Sequence, residues 1–335
     1  MIINRFTKKI LKYKIFDIDL YKLRGSTFHG DLIKKRNKIY KNLKKYLTSV
    51  NSTTCLLCNK KLMNKNLYFS WKKYKLINCD NCGSTNTNIN FKIFKPQFSH
   101  NNIEKINFVQ KYIKKNFIYR AEKFGKERIE YILSKIKFKN KKIKVLDFAC
   151  GYGSFLYALK NKKIDGKGLD FDDISVNFAK KMNLLVSKND LSDENDNTYD
   201  LITFFDVIEH LLEPNKIIKT AIKKLKKGGH LLFFTPNLNS LSTILMGSNH
   251  NMFSPFDHVC FYNEKSFNFI KKKHNLDLIS YEYFGLDIKD YLQMLEAKNK
   301  NIKFNKIMRN FSNITQSFID NAKASNSIRI IFKKK

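Results

Sequence analysis

Val145-Leu-Asp-Phe-Ala-Cys-Gly-Tyr-Gly-Ser154 reads as a strand that runs into a tight turn and then into the start of a helix. The largely apolar run Ile143–Asp147 ends in an acid. Gly151 and Gly153 open backbone conformations closed to other residues, so the chain can approach a ligand closely there. The helix expected over Ser154–Lys160 turns its free N–H groups toward the same point. A dinucleotide fingerprint, G-x-G-x-x-G, would need glycine-like residues at 149, 151 and 154, where this chain has Ala149, Gly151 and Ser154. The acid at Asp147 would also repel a pyrophosphate. It suits a ligand with a positive amino group.

Outward from this turn, strands and helices alternate. Strands are expected over Gly166–Asp170, Leu184–Ser187, Asp200–Phe205 and His230–Thr235, the last stopped by Pro236. Helices are expected over Ile174–Met182 and Asn215–Leu225, the second ended by Gly228 and Gly229. Two late strands, Leu276–Phe284 and Ser327–Phe332, flank a helical insertion at about 287–324. The alternation predicts an α/β, doubly wound, mainly parallel sheet with helices on both faces. Seventeen residues after Gly153, Asp170 closes the second strand, where a carboxylate can accept both hydroxyls of a ribose. Asp190, just past the third strand, is placed to accept from an adenine amino group.

These motifs resemble the class I S-adenosylmethionine-dependent methyltransferases, from about residue 144 to 284 and as far as 335 if the late strand is included. The family's first motif, D-x-G-x-G-x-G, is matched by D-F-A-C-G-Y-G; Ala149 departs at the first glycine and sits there without strain only if its φ is negative. Tyr199-Asp-Leu-Ile-Thr-Phe-Phe-Asp-Val-Ile-Glu-His-Leu-Leu212 is similar to the family's fourth-strand motif, with its acid-V-L-E-H core. Lys226-Lys-Gly-Gly-His-Leu-Leu-Phe-Phe-Thr-Pro-Asn237 is similar to the following turn and fifth strand, and Asp257-His-Val-Cys-Phe-Tyr-Asn263 to an element of the small-molecule branch. The resemblance implies a seven-stranded Rossmann-like sheet whose seventh strand is antiparallel. It implies S-adenosylmethionine held by Asp147, Ala149, Gly151, Gly153, Asp170, Asp190, Asp206 and Glu209. It implies in-line methyl transfer, in which the protein positions the reactants and excludes water. His210, His258 and Asp257 are the candidate catalytic residues, histidine's pKa suiting proton removal. Glu209 with His210, and Asp257 with His258, can equally be polar pairs that only shape the backbone. Cys150 is read as a small residue packed in the turn.

Cys55-x-x-Cys58 and Cys79-x-x-Cys82 stand 20 residues apart. Each pair can clamp a metal from a knuckle, with Asn59 and Gly83 taking the left-handed turn behind it. Four thiolates around a structural, tetrahedral zinc are expected, and a disulfide arrangement is the weaker reading. A Cys-quartet module ahead of this domain is similar to that of bacterial methyltransferases acting on sugars or related metabolites. The chain is thus expected to divide into a basic, partly helical leader (1–54), a zinc-ribbon-like module (55–98), connecting helices (99–142) and the cofactor-binding domain (143–335). The leader is expected to hold a basic helix over Asp31–Tyr46, with Leu32, Ile33, Ile39, Tyr40 and Leu43 on its apolar face. The connecting stretch shows helical spacing at Ile103, Ile106, Val109, Tyr112 and Ile113, with a second helix around Glu127–Ile136.

The 335 residues carry a net charge of +35, from 64 Lys+Arg against 29 Asp+Glu, unevenly spread. Residues 145–236 hold 13 bases and 13 acids, whereas residues 1–144 hold 36 and 8. Only 7 of the basic residues are Arg, the residue that reads phosphates and bases bidentately, so sequence-specific nucleic-acid recognition is disfavoured. No apolar run is long enough to cross a membrane and no secretion signal is read at the N-terminus, so a cytoplasmic location is expected. The resemblance, taken with this charge distribution, implies a methyltransferase acting on a small or carrier-linked, anionic acceptor, such as a sugar. An RNA methyltransferase using the basic half and a non-catalytic binding protein of the same fold are the alternatives.

Overall fold

The computed structural model describes residues 16–25, 27–94, 114–138, 142–298 and 302–335. The expected helical spacing at Ile103, Ile106, Val109, Tyr112 and Ile113 lies outside these residues, as does the chain before Phe16. Eleven strands fall in two sheets among the described residues. β1 (Leu67–Trp71), β2 (Tyr74–Asn78) and β3 (Thr85–Thr87) belong to the small sheet. β4 (Lys144–Phe148), β5 (Asp165–Leu169), β6 (Leu185–Ser187), β7 (Tyr199–Phe205) and β8 (Leu225–Pro236) belong to the large one. β9 (Cys260–Phe261) returns to the small sheet, while β10 (Leu276–Tyr283) and β11 (Ser327–Lys334) complete the large one.

The large sheet has the order β10-β11-β8-β7-β4-β5-β6, with β4 to β8 parallel and β11 antiparallel to both its neighbours. This is the doubly wound, seven-stranded methyltransferase sheet. The chain moves outward from β4 to β5 and β6, then returns to lay β7 on β4's other side. The crevice at the carboxyl ends of β4 and β7 is therefore the switch point where such sheets bind ligands. Its central strands, β4, β7 and β8, are largely buried, as parallel strands covered by helices on both faces must be. Leu146, Ile202, Phe204, Leu231 and Phe233 pack into one apolar layer, and Val145, Leu201, Leu232 and Ile331 into the other.

β8 begins five residues before the expected His230. Leu225 pairs with Tyr199 and His230 with Leu201, so residues 226–229 are carried outside the register. Gly228 at φ +75° permits the excursion. The preceding helix is Pro214–Lys224, with proline at its first turn, where a missing N–H costs nothing. The insertion is two helices, Asp287–Ala297 and Ile302–Asn321, which bury Ile288, Leu292 and Ile319 together.

The helix expected over Asp31–Tyr46 runs over Phe28–Leu43 and is followed by a 3-10 turn at Lys44–Tyr46. Its buried face is His29, Arg36 and Tyr40; Leu32, Ile33, Ile39 and Leu43 are only half-buried. The apolar-face reading missed Arg36 because its guanidinium is buried on carbonyls: Arg36 donates to the carbonyls of Ser248, His250 and Phe253. That helix is thereby fastened to the loop ahead of His258.

Candidate functional site

At the end of β4 the chain turns left-handed three times, at Ala149 (φ +55°), Gly151 (+54°) and Gly153 (+77°). The negative φ required for an unstrained Ala149 is not what the loop adopts. The turn keeps a glycine-like backbone and carries alanine in it, at a cost of about 1–2 kcal/mol. The two true glycines serve different ends. A Cβ on Gly151 would meet nothing within 4 Å, so this peptide borders open space that a ligand can enter. A Cβ on Gly153 would stand 2.7 Å from Leu184 Cδ1, so that glycine is required by packing. Cys150 fills the space above Gly168, whose Cβ would lie 2.5 Å from the sulfur, and its thiol pKa is pushed up by burial.

Carboxylates line the strand ends. Asp147 is buried and accepts from Thr203 Oγ1 at 2.7 Å. Burial pushes its carboxyl up to about 7, against the opposing pull of Thr203 and Arg128. Asp170 accepts from the Gly151 amide at 2.7 Å through one oxygen and from the Asp172 amide at 2.9 Å through the other. Asp190 caps the short turn Leu191–Asp193 and accepts from the Ser192 amide and hydroxyl. Asp206, just past β7 at φ +58°, ion-pairs with Arg128 at 3.5 Å.

Beyond β7 and β8 lies a second group of residues. Glu209 is fully buried; its Oε2 accepts from Thr235 Oγ1 at 3.0 Å, and its Oε1 has no hydrogen-bond partner. His210 presents Nδ1 to the Asp257 carbonyl at 2.8 Å and to its carboxylate at 3.3 Å, and its Nε2 lies 3.9 Å from Glu209 Oε1. His258 presents Nδ1 to the Met252 carbonyl at 2.8 Å, and the two imidazoles meet edge to face at 4.7 Å. Burial works against a charged His210, but Asp257 and Glu209 prevail and raise it to about 9. Burial, joined by the charge of His210, lowers His258 to about 4.

Sequence reasoning did not single out Arg128, Thr203 or Thr235. Arg128 covers the Phe205 ring at 3.8 Å beside Asp206. It sits in the helix Lys126–Lys135, read only as a connector. Thr203 and Thr235 are strand residues whose partners, Asp147 and Glu209, come from other strand ends. No local spacing reveals them.

The four cysteines come together. Their sulfurs all lie within 4.8 Å of one another, with Cys55–Cys82 and Cys58–Cys79 at 3.4 Å. A metal with 2.3 Å bonds to four thiolates would set sulfurs about 3.8 Å apart, so the donor set fits a tetrahedral ion. Asn59 and Gly83 are left-handed (φ +60° and +77°), and their amides donate to the Cys55 and Cys79 carbonyls at 2.8 Å. Two matching knuckles result. Ser84 and Asn86 add donors to the sulfurs.

Residues 117–281 match a family model described as a methyltransferase domain, just under half of the chain. That stretch of the chain is similar to a methyltransferase domain. Among curated proteins, the chain is similar to the "Ubiquinone biosynthesis O-methyltransferase" of Aliivibrio fischeri (strain MJ11), 31% identical over 105 residues, covering 29% of this chain and 45% of that protein. It is also similar to the protein of that name from Hydrogenovibrio crunogenus, 31% identical over 127 residues, covering 35% and 52%. The chain thus spans about half the length of the curated relatives it matches. A solved "SAM dependent methyltransferase from Archaeoglobus fulgidus" is 18% identical, with a TM-score of 0.45, over 65% of this chain and 99% of that one. Among the described residues, no helix is long and apolar enough to cross a membrane.

Proposed function

We propose that this protein transfers a methyl group from S-adenosylmethionine to a small or carrier-linked acceptor. The observation that carries this reading is the alignment of Asp147, Asp170 and Asp190 at or just past the ends of β4, β5 and β6, around a turn whose Gly151 faces open space. Asp170 would take the ribose hydroxyls, Asp190 the adenine amino group, and Asp147 the charge of the methionine amino group. The sulfonium would then point across β4 toward Asp206, Glu209 and His210. The acceptor would enter beside His210, His258 and Asp257, where its proton is removed. In-line attack forms the acceptor–carbon bond as the carbon–sulfur bond breaks, leaving S-adenosylhomocysteine. Oxygen is the favoured acceptor atom, since the curated relatives are O-methyltransferases by name.

Zinc at Cys55, Cys58, Cys79 and Cys82 completes the reading. A four-thiolate ion has no free position for substrate, so its work there is to hold the small sheet together. Calorimetric titration of the full chain with S-adenosylmethionine tests the central reading. Saturable binding, weakened at least tenfold by Asp170→Asn, is expected. An absence of binding in the intact protein would refute it.

A further inference from the structure

Only seven of the 64 basic residues are arginine, and three of those seven converge beside Asp206. Arg24 ends the short helix Leu20–Arg24. Arg120 ends Phe117–Arg120, which continues through a π turn, Ala121–Gly125, into Lys126–Lys135 and Arg128. Eight α-helical steps would leave Arg128 rotated by about 80° from Arg120. The wider π turn reduces that offset, and both guanidiniums reach the Phe124 ring, at 5.8 and 6.0 Å. Packing brings Arg24 alongside. Leu20 and Leu23 bury with Leu286 against Tyr119 and Phe124, and Asn116, one turn before Arg120, donates to the Leu23 carbonyl at 3.2 Å.

The charges in this group do not balance. Arg128 is answered by Asp206 at 3.5 Å, and Arg24 by Asp290 of the insertion, which also accepts from Asn326 at 3.0 Å. Arg120 is half-buried and has no hydrogen-bond or ion-pair partner among the described residues. Arg36, Arg309 and Arg329, by contrast, are each committed to carbonyls or carboxylates. Burial and the like charges of Arg24 and Arg128 lower the Arg120 guanidinium to about 10, with Asp206 pulling the other way. A guanidinium held among like charges without a counter-ion is an expensive arrangement unless an anion arrives there. The Asp206 side chain, 54% exposed, stands in the field of His210 as well as of all three arginines, so the cluster borders the acceptor end.

We propose that Arg120 and Arg24 bind an oxyanion, a carboxylate or a phosphate, carried by the methyl acceptor. This inference deepens the methyltransferase reading and rests on it for the acceptor's reaction. The planar fork of arginine matches two oxygens of either group, which the point charge of lysine does not. Arg128 stays on the cofactor side, in the field of Asp206 and Asp147. Arg120 lies eight residues before it, about 12 Å along the helix, so an anion there stands apart from a cofactor amino group at Asp147. Phe28, 4.8 Å from the Arg24 guanidinium, and Phe124 supply apolar walls for the part of the acceptor next to its anion. Binding energy from that remote group would hold the reacting atom in place near His210.

The experiment is calorimetry on the full chain saturated with S-adenosylhomocysteine, titrated separately with inorganic phosphate and with benzoate. Saturable binding of at least one probe is expected, and the probe that binds assigns the oxyanion as phosphate or carboxylate. Arg120→Gln should weaken it roughly tenfold or more and Arg24→Gln by about threefold, with cofactor affinity unchanged in both. Arg120→Gln should also melt no lower than the parent, because it relieves repulsion, whereas loss of a structural arginine would lower the melting temperature. If Arg24→Gln fails to fold for want of the Asp290 pair, the Arg120 variant carries the test alone. The proposal is overturned if neither probe binds. It is overturned equally if binding survives Arg120→Gln, which marks an adventitious site on the lysine-rich surface, or if that variant loses cofactor affinity instead. Cofactor binding without an Arg120-dependent anion site sinks only this inference. Arg120-dependent anion binding in a chain that takes no cofactor sinks only the methyltransferase reading.

Discussion

Replacing Ala149 by glycine should change stability little, and replacing it by valine should damage it. Alanine at φ +55° bears about 1–2 kcal/mol of left-handed strain, which glycine removes. Against this stand about 0.4–1 kcal/mol of extra unfolded-chain entropy and a share of the roughly 0.8 kcal/mol of a half-buried methyl. The balance for Ala149→Gly runs from about 0.5 kcal/mol of destabilisation to about 1 kcal/mol of stabilisation. For Ala149→Val the sign reverses, since a branched side chain at positive φ is a true outlier, and a loss of at least about 2 kcal/mol is expected. Urea unfolding with matched m-values measures both. Titration with S-adenosylmethionine should find Ala149→Gly binding as tightly as the parent, because the loop backbone is already glycine-like. A glycine variant destabilised by more than about 1 kcal/mol, or a valine variant as stable as the parent, would refute the strain argument.

The Asp147 carboxyl, raised by burial to about 7, should make stability fall between about pH 4 and 7 and level off above, by on the order of 4 kcal/mol in total; denaturant titrations across pH, with Asp147→Asn removing the slope, check this. A positive ligand group beside Asp147 favours its ionised form, so cofactor affinity should rise with pH up to about 7 and then plateau, as calorimetry at several pH values will show. Gly168→Ala puts a Cβ 2.5 Å from both Cys150 Sγ and Leu156 Cδ1 and should cost about 1–3 kcal/mol, or more if the turn shifts, read by thermal melting. Stripping metal with a strong chelator should release one zinc from the thiolates and unfold the small sheet, seen as loss of near-ultraviolet dichroism from Trp71; unaltered dichroism after full zinc loss contradicts a structural role.

What the sequence disclosed and what it withheld follow from how local each signal is. The β4 turn, the strand-end acids and the cysteine knuckles are short patterns with a single backbone solution. Asn59 and Gly83 were legible because only a left-handed residue can follow each Cys pair. Long-range polar contacts were not legible: Thr203 reaches Asp147 and Thr235 reaches Glu209 across neighbouring strands, where no spacing rule applies. Arg36 and Arg128 were missed for a related reason. A charged residue on a helix normally marks the solvent face, but these two are covered, one on carbonyls and one on aromatic rings.

The least foreseeable feature joins the two halves of the molecule. The small sheet takes its fourth strand, β9, from the methyltransferase domain: Thr85 pairs with Phe261 and Asn86 with Cys260. The same stretch runs directly from Asp257 and His258. The Val259 amide donates to the Glu209 carbonyl at 2.8 Å, while its own carbonyl accepts from Thr87 at 3.2 Å. A single residue thus ties the thiolate module to the turn that carries Glu209 and His210. From the other side, Arg36 grips the carbonyls of residues 248–253, which include the loop whose Met252 carbonyl orients His258. The module lies on the acceptor side of the sheet and makes its strand pairing far from Asp170 and Asp190 in the topology. Loss of the thiolate ion should therefore disturb the acceptor end first and leave the cofactor turn, built within β4 and β5, comparatively intact. On this geometry the cysteine quartet braces the stretch that positions His258 and Glu209.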